Sequence, residues 1–423
     1  MSIDTLTPFQ ILPLLRIGTV KARPDPAILP YAQCTPQDPS PVHTLALISS
    51  RTGFEALEDE WNQLFERAGR SEQMFQTFNW LWHWTEHFCT PGMNSFAIVV
   101  ARREGRLVAI LPLAVERVAG LSQLVFMGAP VSQYGDALSE PLADRDAVLS
   151  DALQFAIATT RCDVVRLAKV RDDAMIATVL KTLKAEMTGF EDAPFADLAA
   201  AGTQAAYDER FSSKNKKNRR RLERRLAEHG AVGLDWSLSG TPAAHAARTT
   251  MVLKRAWLKT RGQLSRALAD RRTEAFFADV CSGIHRPCGA QVSLLTAGGE
   301  IADAAITVTV KGRQAIHILA YGLKFEKCAA GILHVEKLVA RAFASGIVTL
   351  DFLAPRHDYK LEWTDGVMRV ADYAVPVTLV GKAYTRIYLK HVREALKAVL
   401  KSVPRREAGV SAILQAALRR VRG

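Results

Sequence analysis

Two stretches of the chain, about 190 residues apart, carry the same alternation of apolar runs and turn residues. "NSFAIVVARREGRLVAILPLAVERVAGLSQLVFMG" (94–128) reads as three short strands, with turns at Glu104-Gly105 and Ala119-Gly120. "GAQVSLLTAGGEIADAAITVTVKGRQAIHILAYG" (289–322) reads the same way, turning at Gly298-Gly299 and Lys311-Gly312. β-Branched runs between glycine-containing turns are the hairpin signal. A helix and one more strand follow each meander: "RDAVLSDALQFAIATT" and "CDVVRLAKV" in the first half, "GILHVEKLVARAFAS" and "GIVTLDFL" in the second. In the second helix Ile332, Val335, Leu338, Val339 and Ala342 share a face at helical spacing, and Gly346 stops it. A helix between two strands of one sheet makes those strands parallel by a crossover. Each half also opens with helices: "FEALEDEWNQLFERAG" and "FNWLWHWTEHF" in the first, residues 213–229, 243–261 and 270–284 in the second.

Composition changes this picture in one respect. The chain has 423 residues, 48% hydrophobic and 23% charged, which suits two globular domains. Its formal charge of +12 is concentrated. Nine basic residues and one acidic lie between Arg210 and Arg225; eleven basic and two acidic lie between Lys382 and Gly423. The remainder is net acidic, so the basicity is two local features rather than a general polyanion-binding surface. The six cysteines show no CxxC spacing and fit reduced cytosolic thiols. In "CSGIHRPC", Cys281, His285 and Cys288 fall short of the four ligands of a closed zinc site, so no metal is expected. No run reaches the roughly 20 apolar residues of a membrane span, and the N-terminus is a poor signal peptide. Residues 1–43 are proline-dotted and without periodicity, a disordered leader to a cytoplasmic protein.

Helices, an antiparallel meander, a crossover helix and a final strand follow the half-domain order of GNAT-fold acetyltransferases. Seen twice, they imply an α+β chain of two GNAT-like (acyl-CoA N-acyltransferase) halves, with two mixed sheets flanked by helices. The divisions expected are 44–200, 205–380 and a basic amphipathic helical tail at 383–423. Several stretches resemble the CelD-type acyltransferases, encoded near bacterial exopolysaccharide and cellulose synthesis genes. They are "FEALEDEWNQLFERA…MFQTFNWLWHW", "FMGAPVSQYGDAL", "SSKNKKNRRRLERRLAEHG", "LKRAWLKTRG" and "DFLAPRHDYKLEWTDG". The resemblance spans about residues 45–380, and the Fem-type peptidoglycan bridge transferases, which use aminoacyl-tRNA, share the tandem fold. It implies an acyltransferase using acetyl-CoA or another acyl-CoA as co-substrate, acting on an exopolysaccharide or cell-envelope intermediate. A Fem-like aminoacyl-tRNA-dependent transferase and a non-catalytic scaffold for polysaccharide synthesis stand as alternatives. One departure is that Ala329-Ala330-Gly331 stands where the family often has Ser-Pro-Gly. The Gln/Arg-x-x-Gly-x-Gly/Ala pyrophosphate loop is also absent, although helix N-terminal amides can cradle a phosphate without it.

Acyl transfer needs a placed nucleophile, a base and donors for the oxyanion. In this fold the donor enters between the strand ending near Tyr321 and the strand at 347–353, so the loop "APRHDYK" should border the chemistry. Asp351, within an apolar strand, is either a site residue or bonded to Lys360 or Arg356. His357 has the titration range of a general base, against the alternative of an exposed loop histidine. Tyr359 and Lys360 match the family's Tyr-Lys pair, and Tyr359 is a candidate donor to the leaving thiolate, or a residue that orders the loop. The resemblance and the fold place the donor on Lys324, Ala329, Ala330, Gly331 and Ile332. Tyr134 and Asp136 would line an acceptor cleft between the halves, or simply form a turn; Trp257 and Tyr321 complete the lining.

Eight of the fourteen residues in "SSKNKKNRRRLERR" (212–225) are basic, yet Phe211, Asn215, Asn218, Leu222 and Leu226 fall on one narrow helical face. That face predicts a helix docked on its domain with both asparagines inward, as substrate-binding residues, rather than a nucleic-acid arm. The outward cations would meet CoA, polysaccharide or tRNA phosphates, or only solvent. In the tail, Tyr388, Val392, Ala395, Leu396 and Val399, and then Val410, Ile413, Leu414, Ala417, Leu418 and Val421, form two apolar stripes opposite basic residues. These suit peripheral contact with an anionic membrane or a polysaccharide synthase, or packing on the chain itself.

Overall fold

The computed structural model describes residues 43–392 except 90–93, 119, 237 and 264. The leader up to residue 42 and the tail stripes beyond Val392 therefore lie outside the described residues. The first half runs through β1 (Thr44–Ile48), α1 (Glu58–Ala68), α2 (Phe78–Phe88), β2 (Asn94–Phe96), β3 (Ile98–Arg103), β4 (Arg106–Leu111) and β5 (Leu113–Val118). It continues with β6 (Leu121–Phe126), β7 (Leu138–Ser139), α3 (Arg145–Thr160), β8 (Val164–Arg171), α4 (Met175–Thr182) and β9 (Glu186–Asp197). The second half has α5 (Ser213–Ala227), β10 (Val232–Asp235), α6 (Gly240–Thr260), α7 (Arg271–Ser282), β11 (Ala290–Ala297) and β12 (Glu300–Val310). Then come β13 (Arg313–Tyr321), α8 (Ala330–Ala344), β14 (Thr349–Asp351) and β15 (Gly366–Pro376).

The expected hairpins form for the expected reason. Glu104-Gly105, Gly298-Gly299 and Lys311-Gly312 each hold two successive positive φ angles, the two-residue turn whose twist matches paired strands. Among the described residues two sheets result, but they do not divide one to each half. A four-stranded antiparallel sheet has the order β1-β3-β4-β7. A mixed eleven-stranded sheet runs through both halves in the order β10-β11-β12-β13-β14-β9-β15-β8-β6-β5-β2. Its two parallel pairs, β6 with β8 and β13 with β14, are those bridged by the crossover helices α3 and α8.

The centre of the large sheet contains an exchange. β9, from the first half, pairs with the second half's β14, and β15, from the second half, pairs with the first half's β8. β9 and β15 pair with each other, so the order β8-β15-β9-β14 laces the halves together. Aromatic packing adds to the lacing, because Trp80 of α2 lies 4.9 Å from the ring of Phe276 on α7. Buried His83 sits 2.8 Å from Asp279 across the same contact.

The basic helix α5 is docked, through a partly different set of residues than its spacing predicts. Ser212 caps it by accepting from the Asn215 amide at 3.2 Å, and Leu222 and Leu226 are buried against Phe325 and Leu333. Asn218 is exposed and only accepts from Arg221 at 2.9 Å, while Asn215 is half-buried. The inward polar residue is Arg219, 6% exposed, whose guanidinium lies 3.6 Å from the Phe211 ring and 4.5 Å from that of Trp363. It also reaches Glu336 on α8 at 3.3 Å. Arg219 precedes Leu222 by three residues and Leu226 by seven, so it shares the leucine face; its flat cation can stack on rings that a short amide could not fill. Replacing Arg219 by Ala should cost about 1–3 kcal/mol in urea-unfolding free energy, and Asn218→Ala less than ~0.5. Equal effects would contradict the assignment.

Candidate active site

Beyond the pairs Arg313↔Thr349, Gln314↔Leu350 and Ala315↔Asp351, β13 and β14 part company. β14 is held on its other side by β9 through Asp351↔Phe195, and the next amide, Phe352 N–H, donates to the Pro194 carbonyl at 2.9 Å. The chain thus follows β9 away from β13. On β13 the register with β12 skips His317, between Ile316 and Ile318, a bulge that bends the strand at the same level. A cavity of about 180 Å³ opens in the fork, lined by Ile316, His317 and Leu319 of β13, Val335 of α8 and residues 352–355 after β14. Lys254 of α6, Gln133 of the first half, His357, Tyr359 and Lys360 complete it.

The corresponding fork in the first half is filled. Beyond β6 and β8 the loop carrying Tyr134-Gly135-Asp136 is wedged between the strands, with the Gly135 amide donating to the Lys169 carbonyl at 3.0 Å. A Cβ on Gly135 would fall 2.4 Å from the Phe126 ring, so only glycine fits the wedge. Tyr134 is buried and its hydroxyl donates to both carboxylate oxygens of Asp351, at 2.9 and 3.0 Å. Burial, then the Asp351 charge, push the Tyr134 hydroxyl well above its ordinary pKa. Asp136 is likewise buried; it accepts from the Ala137 and Ile176 amides at 2.8 and 3.1 Å, the latter at the start of α4, and from Gln73 at 2.9 Å.

Asp351 also accepts from Arg313 at 2.9 Å and from the Leu353 amide at 2.9 Å, with Arg171 at 3.9 Å. Its partners are thus Arg313 and Tyr134, rather than Lys360 or Arg356. The carboxylate is 1% exposed and does not line the cavity. Arg313 continues to Glu72 at 2.8 Å, so this buried network ties three segments to the root of the fork.

Of Asp351, His357, Tyr359 and Lys360, the last three meet at the cavity. His357 and Tyr359 stack at 6.2 Å. Burial, and then the Lys360 charge, lower the His357 pKa; burial, and then Asp303, push the Tyr359 hydroxyl up to about 12. Lys360 is 7% exposed and donates to the carbonyls of Phe352, Leu353 and Pro355 at 2.9, 2.9 and 2.8 Å. All three ammonium protons are used in shaping the loop, and burial followed by the Lys254 charge brings its pKa to about 8.

The remaining candidates sit further out. Ala330 and Gly331 open α8, whose first amides lack helical partners, and Ala329 precedes them in the left-handed region at φ 50°. The Ile332 amide bonds back to the Ala329 carbonyl at 2.9 Å, and Lys324 is exposed and paired with Glu300. Trp257 donates to the Tyr321 hydroxyl at 2.8 Å, outside the cavity lining, and Asn215 lies at a separate surface hollow beside Asp365. Among the described residues no group of three or more His, Cys, Asp or Glu is placed to hold a metal. Cys281 and Cys288 are buried, with thiols pushed up by desolvation, and His285 is exposed.

Two further arrangements are assembled only by the fold. Ser293, His334 and Asp303 form a Ser-His-Asp chain, with His334 Nδ1 donating to Asp303 at 2.6 Å and Nε2 accepting from Ser293 at 2.9 Å. All three are buried and outside the lining of the cavity described above, and the chain fastens β11 and β12 to α8. The other group is Lys254, His317 and Gln133, from a helix, a bulge and the opposite half. The signal available for Lys254 was a cation in line with the small and apolar residues Ala243, Ala247 and Met251 of α6, which are buried.

Residues 213–361 match the family described as an acetyltransferase (GNAT) domain. A crystal structure of FemX is similar at a TM-score of 0.54, with 11% identity over 78% of this chain and 98% of that one. A conserved protein of unknown function from Bacteroides thetaiotaomicron VPI-5482 is similar at 0.50, with 10% identity over 79% and 100%. At those identities the likeness is one of fold. No curated protein matches the sequence significantly. The fold is the GNAT fold in tandem, and the second half carries a GNAT-type acyltransferase domain.

His317 gives this region a pH signature. Its Nε2 donates to the Val131 carbonyl at 2.7 Å, and its ring packs among Phe75, Trp80 and Phe277. Desolvation, chiefly, lowers its pKa to about 4, from an ordinary value near 6.5. Between pH 6.5 and 4 the unfolded chain binds the proton and the folded one does not, so stability falls as pH falls through that window. His317→Phe should remove about 2–3 kcal/mol of this acid dependence, read as the difference between the two proteins' denaturation free energies across that range. Parallel pH profiles would contradict it.

Proposed function

We propose that the chain is an acyl-CoA-dependent acyltransferase, acetyl-CoA being the donor, whose second half holds the thioester in the fork between β13 and β14. The acceptor is a hydroxyl or amine of an exopolysaccharide or cell-envelope intermediate. The observation that carries this reading is the open fork itself, at the strand divergence bridged by α8, against a first-half fork plugged by residues 134–136. The root of the cavity is apolar (Ile316, Val335, Phe352), which suits a short aliphatic acyl group. The first amides of α8 offer the adjacent position for donor phosphates.

An aminoacyl donor of the Fem kind fits less well, because its α-ammonium would enter a cavity already lined by Lys254 and Lys360. A scaffold without catalysis would not need the open fork. Acetyl-CoA titrated into the full chain by calorimetry should bind saturably. Val335→Phe, which fills the cavity from α8, should weaken binding at least about tenfold, roughly 1.4 kcal/mol or more, without changing the fold by circular dichroism. No binding to the wild-type chain, with retention of charged tRNA instead, would favour the Fem-like reading; binding of neither would favour the scaffold.

A further inference from the structure

Lys254 lies on the apolar face of α6 and lines the cavity from the side opposite α8. Its ammonium donates to the Leu319 carbonyl at 2.9 Å, on the stretch of β13 that β14 has left. A second contact places it 4.4 Å from the Trp257 ring, which fixes the side chain without using another N–H. Two of its three protons therefore remain for a ligand. Lys360, the other cavity lysine, has none to spare, since each proton already meets a loop carbonyl.

Electrostatics point the same way. The Lys254 charge acts on both Lys360 and His357, lowering the pKa of each. Asp303 is the acidic group whose charge acts on Lys254, and it is already bonded to His334. Two like charges beside one small cavity are unfavourable while it holds neutral matter, and become favourable when negative charge forms there. Leu319 lies two residues outward from the His317 bulge, whereas Ile316, Val335 and Phe352 form the apolar root. An acyl chain seated in the root would put its thioester carbonyl at the level of Leu319.

Resting on the donor reading above, we propose that Lys254 is a catalytic residue of the acyl transfer, donating an N–H to the thioester carbonyl oxygen and holding the oxyanion. The acceptor's lone pair forms a bond to the carbonyl carbon, and the C=O π pair moves onto the oxygen facing Lys254. When that pair returns, the C–S bond breaks and the thiolate leaves. The proton lost by the acceptor ends on the departing sulfur. Lys254 keeps its own protons throughout.

The test needs no acceptor. Infrared difference spectra of carbonyl-13C-labelled acetyl-CoA, with and without the full chain, read the polarisation of the carbonyl directly. The wild-type chain should move the thioester stretch to lower wavenumber. Lys254→Met should lose that shift while binding acetyl-CoA within about tenfold of wild type by calorimetry, a change under roughly 1.4 kcal/mol. Lys254→Arg should keep most of it, an outcome that mere packing by the side chain would not give. If Lys254→Met does not fold, Lys254→Gln takes its place. Acetyl-CoA bound by the wild type with an unshifted carbonyl, or a shift that survives loss of the lysine, would overturn the assignment to Lys254 alone. Absence of saturable acetyl-CoA binding to the wild type would overturn the donor reading, and this inference with it.

Discussion

Because β9 and β15 are exchanged between the halves, β14 is held by a strand of the first half, and this decides where the large sheet splits. A parallel pair such as β13 and β14 would ordinarily run on side by side. Here β14 has only three residues in register with β13 before its next amide commits to Pro194 of the exchanged strand. That commitment turns the chain, and the turned segment becomes one wall of the cavity. The first half shows what happens without an opening: the fork between β6 and β8 is occupied by Tyr134-Gly135-Asp136, whose tyrosine then bonds to Asp351 at the root of the other fork. One half is thus spent on stiffening the other.

The buried carboxylate at that root is best understood through its partners. An isolated ionised aspartate with 1% exposure would be very costly, and Asp351 is tolerable because Arg313, Tyr134 and a backbone amide all donate to it. Those donors come from β13, the first-half loop and the chain just past β14, so satisfying one charge fixes three segments relative to each other. Lys360 does the complementary task a few residues on, where a buried cation gathers three carbonyls of the cavity loop.

Much of this was legible in the chain, where the structural cause is local. The crossover helices follow from helical spacing bounded by stop signals, and α3 occupies the residues its pattern marks, 145–160. The hairpin turns follow from paired positive-φ positions. The exchange was not legible. β9, "EMTGFEDAPFAD", has neither alternation nor an apolar run, and it contains a glycine and a proline, because its burial is set by two neighbours from the other half. Site residues divide in the same way. His357, Tyr359 and Lys360 lie on one short segment after one strand, at the helical turn Asp358–Leu361, and could be placed by element order. Lys254, His317 and Gln133 come together only when a helix, a bulge and the opposite half meet, and no spacing encodes that. Arg219 against Asn218 is the finer lesson: both sit within reach of the leucine face, and the aromatic rings awaiting the helix decide which one turns inward.

One fork is open and the other is plugged by its own loop. Hydrogen exchange followed by mass spectrometry, with and without saturating acetyl-CoA, tests the proposal that the open fork takes the donor. Added protection is expected in peptides covering 316–335 and 352–360, with 126–137 and 164–171 unchanged. Protection centred on the first-half loop, with 316–335 unchanged, would contradict it.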